Sequence, residues 1–192
     1  MNRFVALIVL LSIGELSCQS PEKQVNHLEL TEAYYKTLDN SSFTELKILL
    51  NDSLKTIDDG YVQTFTKPQL IDWLQWDEVF KPTYKILEIK QNQNVVYTKV
   101  SKIDKRILFL HKKPIVTQET IKFNNNKITS VDRNSIVFDV DTFVKNRDKL
   151  VDWIDKNHPE LNGFINDQTQ AGGIKYLKAI ALYKNKNDSI RL

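Results

Sequence analysis

The chain has 192 residues, of which 41% are hydrophobic and 27% are charged, with five glycines and five prolines. This composition is typical of a globular protein with one good hydrophobic core, and it excludes a low-complexity chain. The formal net charge is +3, and the 27 basic residues are interleaved with 24 acidic ones. Because nucleic-acid binding calls for a basic stripe with interleaved aromatic residues, we expect no nucleic-acid partner.

The N-terminal segment has the pattern of a secretory signal. It begins with Asn2 and Arg3, continues through the apolar residues 4–11 and closes on the small residue Ser17. The apolar run is too short to cross a bilayer core of about 30 Å as a helix, which argues against a permanent transmembrane anchor. We predict that residues 1–17 are a signal peptide and that the protein is exported.

Cys18, the only cysteine, stands where such a signal would be cut. Leu16-Ser17-Cys18 resembles the lipobox of bacterial lipoproteins, in which this cysteine is acylated, although Glu15 departs from the aliphatic residue of that pattern. The resemblance implies attachment to a bacterial membrane through acyl chains on Cys18, facing the periplasm or the cell surface, with residues 18–27 as a polar tether. The alternative is a secreted protein with an unpaired thiol.

Three helices are predicted before the central region. The first carries residues at three- and four-residue spacing on one face: Leu30, Ala33, Tyr34, Thr37 and Leu38. A second should begin at Ser42, which forms a capping-box pattern with Glu45. A third should begin at Thr66, with Gln69 three residues later and Pro68 in the first turn.

The central region predicts an antiparallel sheet, and the whole chain therefore an α+β fold. A hairpin joins residues 54–58 to 61–65 through Asp59-Gly60. Five longer strands are expected at residues 84–90, 95–104, 106–112, 115–123 and 127–138. Alternation in residues 115–123 places Glu119 on the apolar face.

Residues 141–192 predict a C-terminal helical extension. Asp141 is expected to cap a helix that ends at Asn157-His158-Pro159. A last helix should follow Gly172-Gly173. This glycine pair lacks the lysine and preceding strand of a phosphate-binding loop, and we expect no cofactor.

The order of these elements resembles the nuclear transport factor 2-like superfamily, which includes SnoaL-like proteins and ketosteroid isomerases. Short similarities lie at residues 34–39 and 123–128. The resemblance implies a cone over residues 28–140, in which a curved antiparallel sheet wraps around the N-terminal helices and leaves a pocket at its wide end. Residues 141–192 have no counterpart in the minimal cone.

The resemblance also implies a site. On a ketosteroid isomerase pattern, Tyr34 matches the phenol that donates to the enolate oxygen, Asp58 the general base, and Glu119 a protonated acid beside the tyrosine. A carboxylic acid buried among apolar side chains keeps its proton and can donate a hydrogen bond. In the structural alternative, Tyr34 caps the core, Asp58 belongs to the hairpin turn and Glu119 pairs with Lys or Arg.

Four further residues are expected to line the pocket as ligand contacts: Trp73, Tyr97, Phe109 and His111. His111 alternates with Phe109 in the predicted strand 106–112. The three histidines have no neighbouring cysteine or histidine, so no metal set can be assembled.

Three functions remain open. The first is a lipid-anchored binding or accessory module whose pocket holds a small apolar ligand, or whose C-terminal helices dock to another envelope protein. The second is an isomerase- or dehydratase-like enzyme that uses Asp58 as the base and Tyr34 and Glu119 as hydrogen-bond donors. The third is a structural lipoprotein with a filled cone.

Overall fold

A computed structural model describes residues 26–186 of the protein. The predicted signal peptide, Cys18 and all of the tether except its last two residues lie outside the described residues. Asn26 and His27, which close the predicted tether, are the N-cap and first residue of a helix. Between residues 26 and 186, no helix has the length and apolar character needed to span a membrane.

The three N-terminal helices form where the sequence predicts them. Helix α1 (His27–Asp39) begins at Asn26, whose side chain accepts from the amide of Leu28. Helix α2 (Phe43–Leu49) follows Ser42, but the Ser42 side chain makes no capping hydrogen bond, so the predicted capping box is absent there. Helix α3 (Lys67–Glu78) does begin with a capping box, formed by Thr66 and Gln69.

Six strands form one sheet in the order β2-β1-β6-β5-β4-β3. They are β1 (Leu50–Asp58), β2 (Tyr61–Thr66), β3 (Thr83–Asn92), β4 (Val95–Ile103), β5 (Ile115–Asn124) and β6 (Lys127–Val137). All neighbouring pairs are antiparallel except β1 and β6, which are parallel. The sheet is therefore mixed rather than wholly antiparallel, and register shifts in three of its pairings bend the strands.

The predicted strand 106–112 is wrong, because these residues form helix α4 (Lys105–Leu110). Asp104 caps the helix by accepting from the Ile107 amide at 2.6 Å. Ile107, Leu110 and His111 are all buried, which is the three- and four-residue spacing of a helix face rather than the alternation of a strand.

The C-terminal region is helical, as expected, with different start points. Helix α5 (Val140–Asn157) is capped by Asp139 rather than by Asp141. A 3₁₀ turn at Pro159–Leu161 leads to helix α6 (Gln170–Lys184). Gly172 and Gly173 lie inside the first turn of α6 rather than before it. A Cβ on Gly173 would lie 3.1 Å from the Trp76 carbonyl oxygen, so the missing side chain lets α6 approach α3 closely.

The buried side chains form two clusters. The first joins one face of the sheet to α1, α2 and α3, and it includes Leu46, Leu50, Val96, Ile121 and Ile128. The second joins the end of α3 and α4 to the C-terminal helices: Trp76, Phe80, Phe109, Leu110, Leu150, Ile154, Leu161, Phe164, Tyr176, Ala179 and Ile180. The C-terminal helices therefore share a core with the region before them.

Candidate functional site

A cavity of about 240 Å³ lies between the sheet and the helices. Its wall is mostly apolar or aromatic, with side chains from every helix up to α4 and from all six strands, including Leu38, Leu46, Leu54, Phe65, Leu70, Trp73, Leu74, Ile107 and Ile115. A cavity of this size and lining suits a small organic molecule. The cone therefore has an open pocket rather than a filled interior.

Arg133 on β6 is the centre of a polar group in this wall. Its Nη1 lies 3.2 Å from Asp58 Oδ1, its Nη2 donates to the Tyr34 hydroxyl at 3.1 Å, and its Nε lies 3.2 Å from Glu119 Oε2. The Arg133 side chain is only 24% exposed. The three residues that the sequence assigned to catalysis are thus brought together by a fourth that it did not identify.

Glu119 lies on the apolar face of β5, as the alternation predicts, and it is almost fully buried. It accepts hydrogen bonds from the Tyr35 hydroxyl at 2.7 Å and from the Thr117 hydroxyl at 2.7 Å, in addition to its contact with Arg133. Each of these partners donates a hydrogen bond to a carboxylate oxygen, as is typical around an ionised carboxylate. The structural alternative, in which Glu119 pairs with an arginine, describes this geometry better than a protonated hydrogen-bond donor does.

Arg133 stays positively charged in this setting. Burial alone would lower its pKa, but the oxygen atoms of Tyr34, Glu119 and Asp58 outweigh burial and raise the pKa well above its ordinary value. A permanent cation therefore lies in the polar part of the pocket wall.

The Tyr34 hydroxyl keeps its proton. Burial raises the pKa of this phenol, and the negative charge of Glu119 raises it further, against the opposing effect of Arg133. The oxygen accepts from Arg133, and among residues 26–186 the hydroxyl donates to no other group. Because Tyr34 lines the pocket, its proton is available to an acceptor placed there.

Asp58 ends β1 at the hairpin turn and is the most exposed member of the group, with 47% of its side chain accessible. The turn itself is fixed by the next residue: Asp59 accepts from the Ser135 amide at 2.7 Å and from its hydroxyl at 2.8 Å. Asp58 is therefore free to face the pocket, where it pairs with Arg133.

A second polar group surrounds the buried carboxylate of Asp77 on α3. Lys102 donates to both Asp77 oxygens at 2.7 and 2.9 Å, and the Tyr84 hydroxyl donates at 3.2 Å. Burial alone would raise the pKa of Asp77, but Lys102 and Arg106 outweigh it and hold the pKa below its ordinary value. Lys102, Arg106 and Tyr84 line the pocket, and Asp77 lies behind them.

Of the four expected ligand contacts, only Trp73 lines the pocket. Tyr97 lies on β4 with the Lys90 ammonium 5.9 Å from its ring, and it lines a different, more open pocket of about 460 Å³ between β3, β4, β5 and β6. Phe109 belongs to the second cluster, where it packs on Tyr183. The misassignment of α4 as a strand explains why Phe109 was expected in the pocket.

His111 has a structural position. Its Nε2 accepts from the Asp139 amide at 2.7 Å, so its Nδ1 carries the proton and donates to the Lys113 carbonyl at 2.8 Å. Both ring nitrogens are therefore used to join α4 to the start of α5. Within residues 26–186, no three His, Cys, Asp or Glu side chains lie close enough together to hold a metal ion.

Sequence reasoning missed Arg133, Tyr35, Tyr84, Lys102 and Arg106. The signal for Tyr35 was its place beside Tyr34, since two adjacent buried tyrosines on one helix turn both need partners for their hydroxyl groups. The signal for Arg133 was the buried Glu119, which requires a cation or several donors.

Solved structures with the same architecture identify the fold. A candidate polyketide cyclase from Streptomyces antibioticus, IdmH, is 12% identical with a TM-score of 0.51, and the match covers 64% of this chain and 98% of that one. An NTF2-like protein of unknown function from Cytophaga hutchinsonii is 15% identical with a TM-score of 0.48, covering 59% of this chain and 93% of that one. The chain therefore shares the α+β fold of IdmH, with one sheet wrapped around N-terminal helices.

Another solved structure shows a similar degree of likeness. A candidate ketosteroid isomerase from Kribbella flavida is 11% identical with a TM-score of 0.48, and the match covers 57% of this chain and 76% of that one. No protein-family model matches the sequence, and no curated protein matches it. At these identities the likeness is one of fold, and the function of this chain must be argued from its own pocket.

Proposed function

We propose that the protein binds a small molecule with an apolar body and an oxygen atom that accepts a hydrogen bond. The observation that supports this most directly is the Tyr34 hydroxyl, which lies in the wall of a mostly apolar cavity and donates to no other described residue. Apolar walls supply most of the binding free energy of such a ligand, at about 25 cal/mol per Å² of buried apolar surface. One polar group then orients it.

The surroundings of Tyr34 fix the position of its hydroxyl group and leave its proton for the ligand. Arg133 donates to the Tyr34 oxygen, so the hydroxyl proton is directed to a different acceptor. Glu119 and Asp58 hold Arg133 in position from two other sides. In this proposal Glu119 acts through Arg133 and Tyr35 and does not touch the ligand.

Replacing Tyr34 with phenylalanine should weaken the binding of a ketone and leave that of a matched hydrocarbon unchanged. Butyrophenone and butylbenzene differ by one carbonyl oxygen, and the loss of one hydrogen bond should reduce affinity for the ketone roughly 3- to 10-fold. Titration calorimetry, or the fluorescence of Trp73 in the pocket wall, measures both affinities.

Tyr97→Phe is the matched control, since Tyr97 does not line the pocket and its replacement should leave both affinities unchanged. Equal affinities of wild type and Tyr34→Phe for the ketone would contradict the assigned role of Tyr34. Failure of both compounds to bind the wild type would contradict the proposed function.

A second candidate function is supported by the position of Asp58. Its carboxylate lies in the wall of the same pocket as the Tyr34 hydroxyl, and Arg133 contacts both. In an isomerase- or dehydratase-like reaction, Asp58 would remove a proton from the carbon beside the ligand's carbonyl group. Tyr34 would donate a hydrogen bond to the enolate oxygen that forms, and Asp58 would return the proton to another carbon.

For this candidate, replacing Asp58 with asparagine should lower kcat by about 100-fold or more, because the amide cannot take the proton. Asp52→Asn, an exposed residue of the same strand, should leave kcat unchanged. The measurement is the isomerisation of a panel of β,γ-unsaturated ketones, followed by absorbance. No turnover by the wild type, or equal turnover by Asp58→Asn, removes the catalytic candidate.

We also propose that residues 1–17 are removed and that Cys18 is acylated, so that the protein is held on a bacterial membrane and faces the periplasm or the cell surface. The sequence of residues 16–18 supports this attachment, and several acyl chains hold a protein firmly where one does not. An envelope protein that docks on the C-terminal helices is a further proposed partner.

Cells that express the chain and receive labelled palmitate should incorporate the label into it, and Cys18→Ala should abolish the label and move the protein to the soluble fraction. A wild-type protein that is exported without label would contradict the lipid anchor. It would favour the secreted alternative.

A further inference from the structure

Arg106 has an unusual environment for a mostly buried cation. Only 20% of its side chain is exposed, and its guanidinium lies 4.8 Å from the centre of the Trp76 ring and 5.2 Å from that of Phe80. Its buried Nε has no hydrogen-bond partner among the described residues. The two carboxylate oxygens near its Nη2, on Asp104 and Asp77, lie at 3.7 and 4.0 Å, which is beyond hydrogen-bond reach.

This arrangement holds the guanidinium in place without using its donors. The two aromatic rings fix the plane of the group, and the two distant carboxylates offset part of its charge. Five N–H donors nevertheless remain on a planar fork, and buried polar groups are nearly always hydrogen-bonded. The Nε is fully buried, but Arg106 lines the pocket, so an acceptor placed there can approach its Nη groups.

Lys102 adds a second cation to the same wall. Two of its three ammonium protons go to the oxygens of Asp77, and the third is left for another acceptor. The other charged residues that line the pocket are Asp58, Glu119 and Arg133, which satisfy one another. Arg133 uses three of its five N–H donors on Asp58, Tyr34 and Glu119, whereas Arg106 donates to no described residue. Arg106 is therefore the cation of the wall with the most donors left, and Lys102 adds one more beside it.

We propose that Lys102 and Arg106 bind the carboxylate of the ligand, so that the ligand class is a small apolar carboxylic acid. This inference rests on the proposed binding function and specifies the chemistry of its ligand. A carboxylate matches the planar fork of Arg106 with two parallel hydrogen bonds, and the apolar walls take the rest of the molecule. A second oxygen acceptor on the acid can then contact Tyr34.

The competing explanation is that Arg106 only neutralises Asp77 and Asp104. In that case its replacement would change stability and would affect neutral and anionic ligands alike. Comparison of an acid with the alcohol of the same chain length separates the two explanations, because only the acid carries the charge that Arg106 would recognise.

Binding of decanoate and decanol to the full chain at pH 7 is the test, measured by titration calorimetry, with butyrophenone as the neutral reference. The wild type should bind decanoate at least about 10-fold more tightly than decanol, since hydrogen bonds to charged groups are the strong ones. Arg106→Met should weaken the binding of decanoate about 10-fold or more and leave the affinity for decanol unchanged. Arg106→Lys keeps the positive charge but lacks the planar guanidinium group, so it should weaken the binding of decanoate by roughly 3-fold or more.

Arg147→Met, at an exposed arginine of α5, is the matched control and should change none of the affinities. If butyrophenone binds but decanoate binds no more tightly than decanol, or if Arg106→Met weakens both equally, the inference is overturned and the proposed function stands. If none of the three compounds binds, both are overturned. If Arg106→Met does not fold, Arg106→Lys gives the answer by the same comparison.

Discussion

Replacing Arg133 with methionine should lower the free energy of unfolding by about 3–5 kcal/mol. Arg133 pairs with the buried carboxylate of Glu119 at 3.2 Å. Methionine occupies a similar volume but leaves that carboxylate with only the Tyr35 and Thr117 hydroxyls as partners. An uncompensated charge in a nearly dry site costs far more than the net value of the pair.

The partner residues make this prediction specific. Asp58 also loses Arg133, but its carboxylate is half exposed and water can solvate it, so most of the cost should come from Glu119. Adding Glu119→Gln to Arg133→Met removes the unpaired charge and should recover part of the lost stability. Urea unfolding of the two single variants and the double variant measures this coupling.

Arg147→Met is again the control, because Arg147 pairs with Asp148 on the surface and such pairs contribute at most about 1 kcal/mol. A cost below 1 kcal/mol for Arg133→Met would contradict the description of Arg133 as the centre of the polar group. A double variant, Arg133→Met with Glu119→Gln, that is less stable than Arg133→Met alone would also contradict this description.

Phe80→Ala is expected to cost about 3–5 kcal/mol. Phe80 has no exposed surface and joins the end of α3 to the C-terminal helices through edge-to-face contacts with Trp76 at 5.1 Å and Tyr176 at 5.6 Å. Truncation leaves a cavity between helices that the surrounding backbone cannot close, and it removes two aromatic contacts. Thermal and urea unfolding of the purified variants measures the effect.

Ile174→Ala on α6 is the control, because Ile174 is 59% exposed and its truncation should change stability by no more than about 0.5 kcal/mol. Combining Phe80→Ala with Tyr176→Ala should show a coupling of about 1 kcal/mol. A cost for Phe80→Ala close to that of the control would mean that helices α5 and α6 do not share a core with the region before them.

Local signals in the sequence predicted much of this fold correctly. The capping box of Thr66 and Gln69 starts α3 where the pattern placed it, and Asp59-Gly60 forms the predicted hairpin turn with positive φ at both residues. The alternation in β5 placed Glu119 on the buried face. In each case the signal comes from residues within a few positions of one another.

Helix α4 was missed because its sequence is compatible with both a strand and a helix. In residues 106–112, the four consecutive apolar residues 107–110 are compatible with a buried strand, while Ile107 and Leu110 are also three apart, as on a helix face. The deciding residue was Asp104, whose side chain caps the helix. A short apolar run cannot be assigned by its period alone, and here the N-cap was the better signal.

Arg133 could not be paired with Glu119 from the sequence because a bulge intervenes. Counted from the turn that joins Asn124 and Lys127 without interruption, Asp132 would lie opposite Glu119. The register shift between Lys122 and Phe123 moves the pairing by one residue and brings Arg133 there instead. The one-residue shift places a basic residue instead of an acidic one opposite Glu119, and the local sequence does not indicate the shift.

The parallel pairing of β1 with β6 could not be predicted from the sequence either, because it joins segments that are far apart in the chain. This pairing places Asp58 beside Arg133 in the register, so the polar group of the pocket depends on it. Contacts of this kind come from the closure of the whole sheet and not from any turn.

A crystal structure of the protein with butyrophenone tests the central claim most directly. The account predicts the phenyl ring against the apolar wall that includes Trp73, and the carbonyl oxygen about 2.7 Å from the Tyr34 hydroxyl. Electron density that shows the cavity filled by the protein's own side chains, or the ketone bound away from Tyr34 and Arg133, would contradict it.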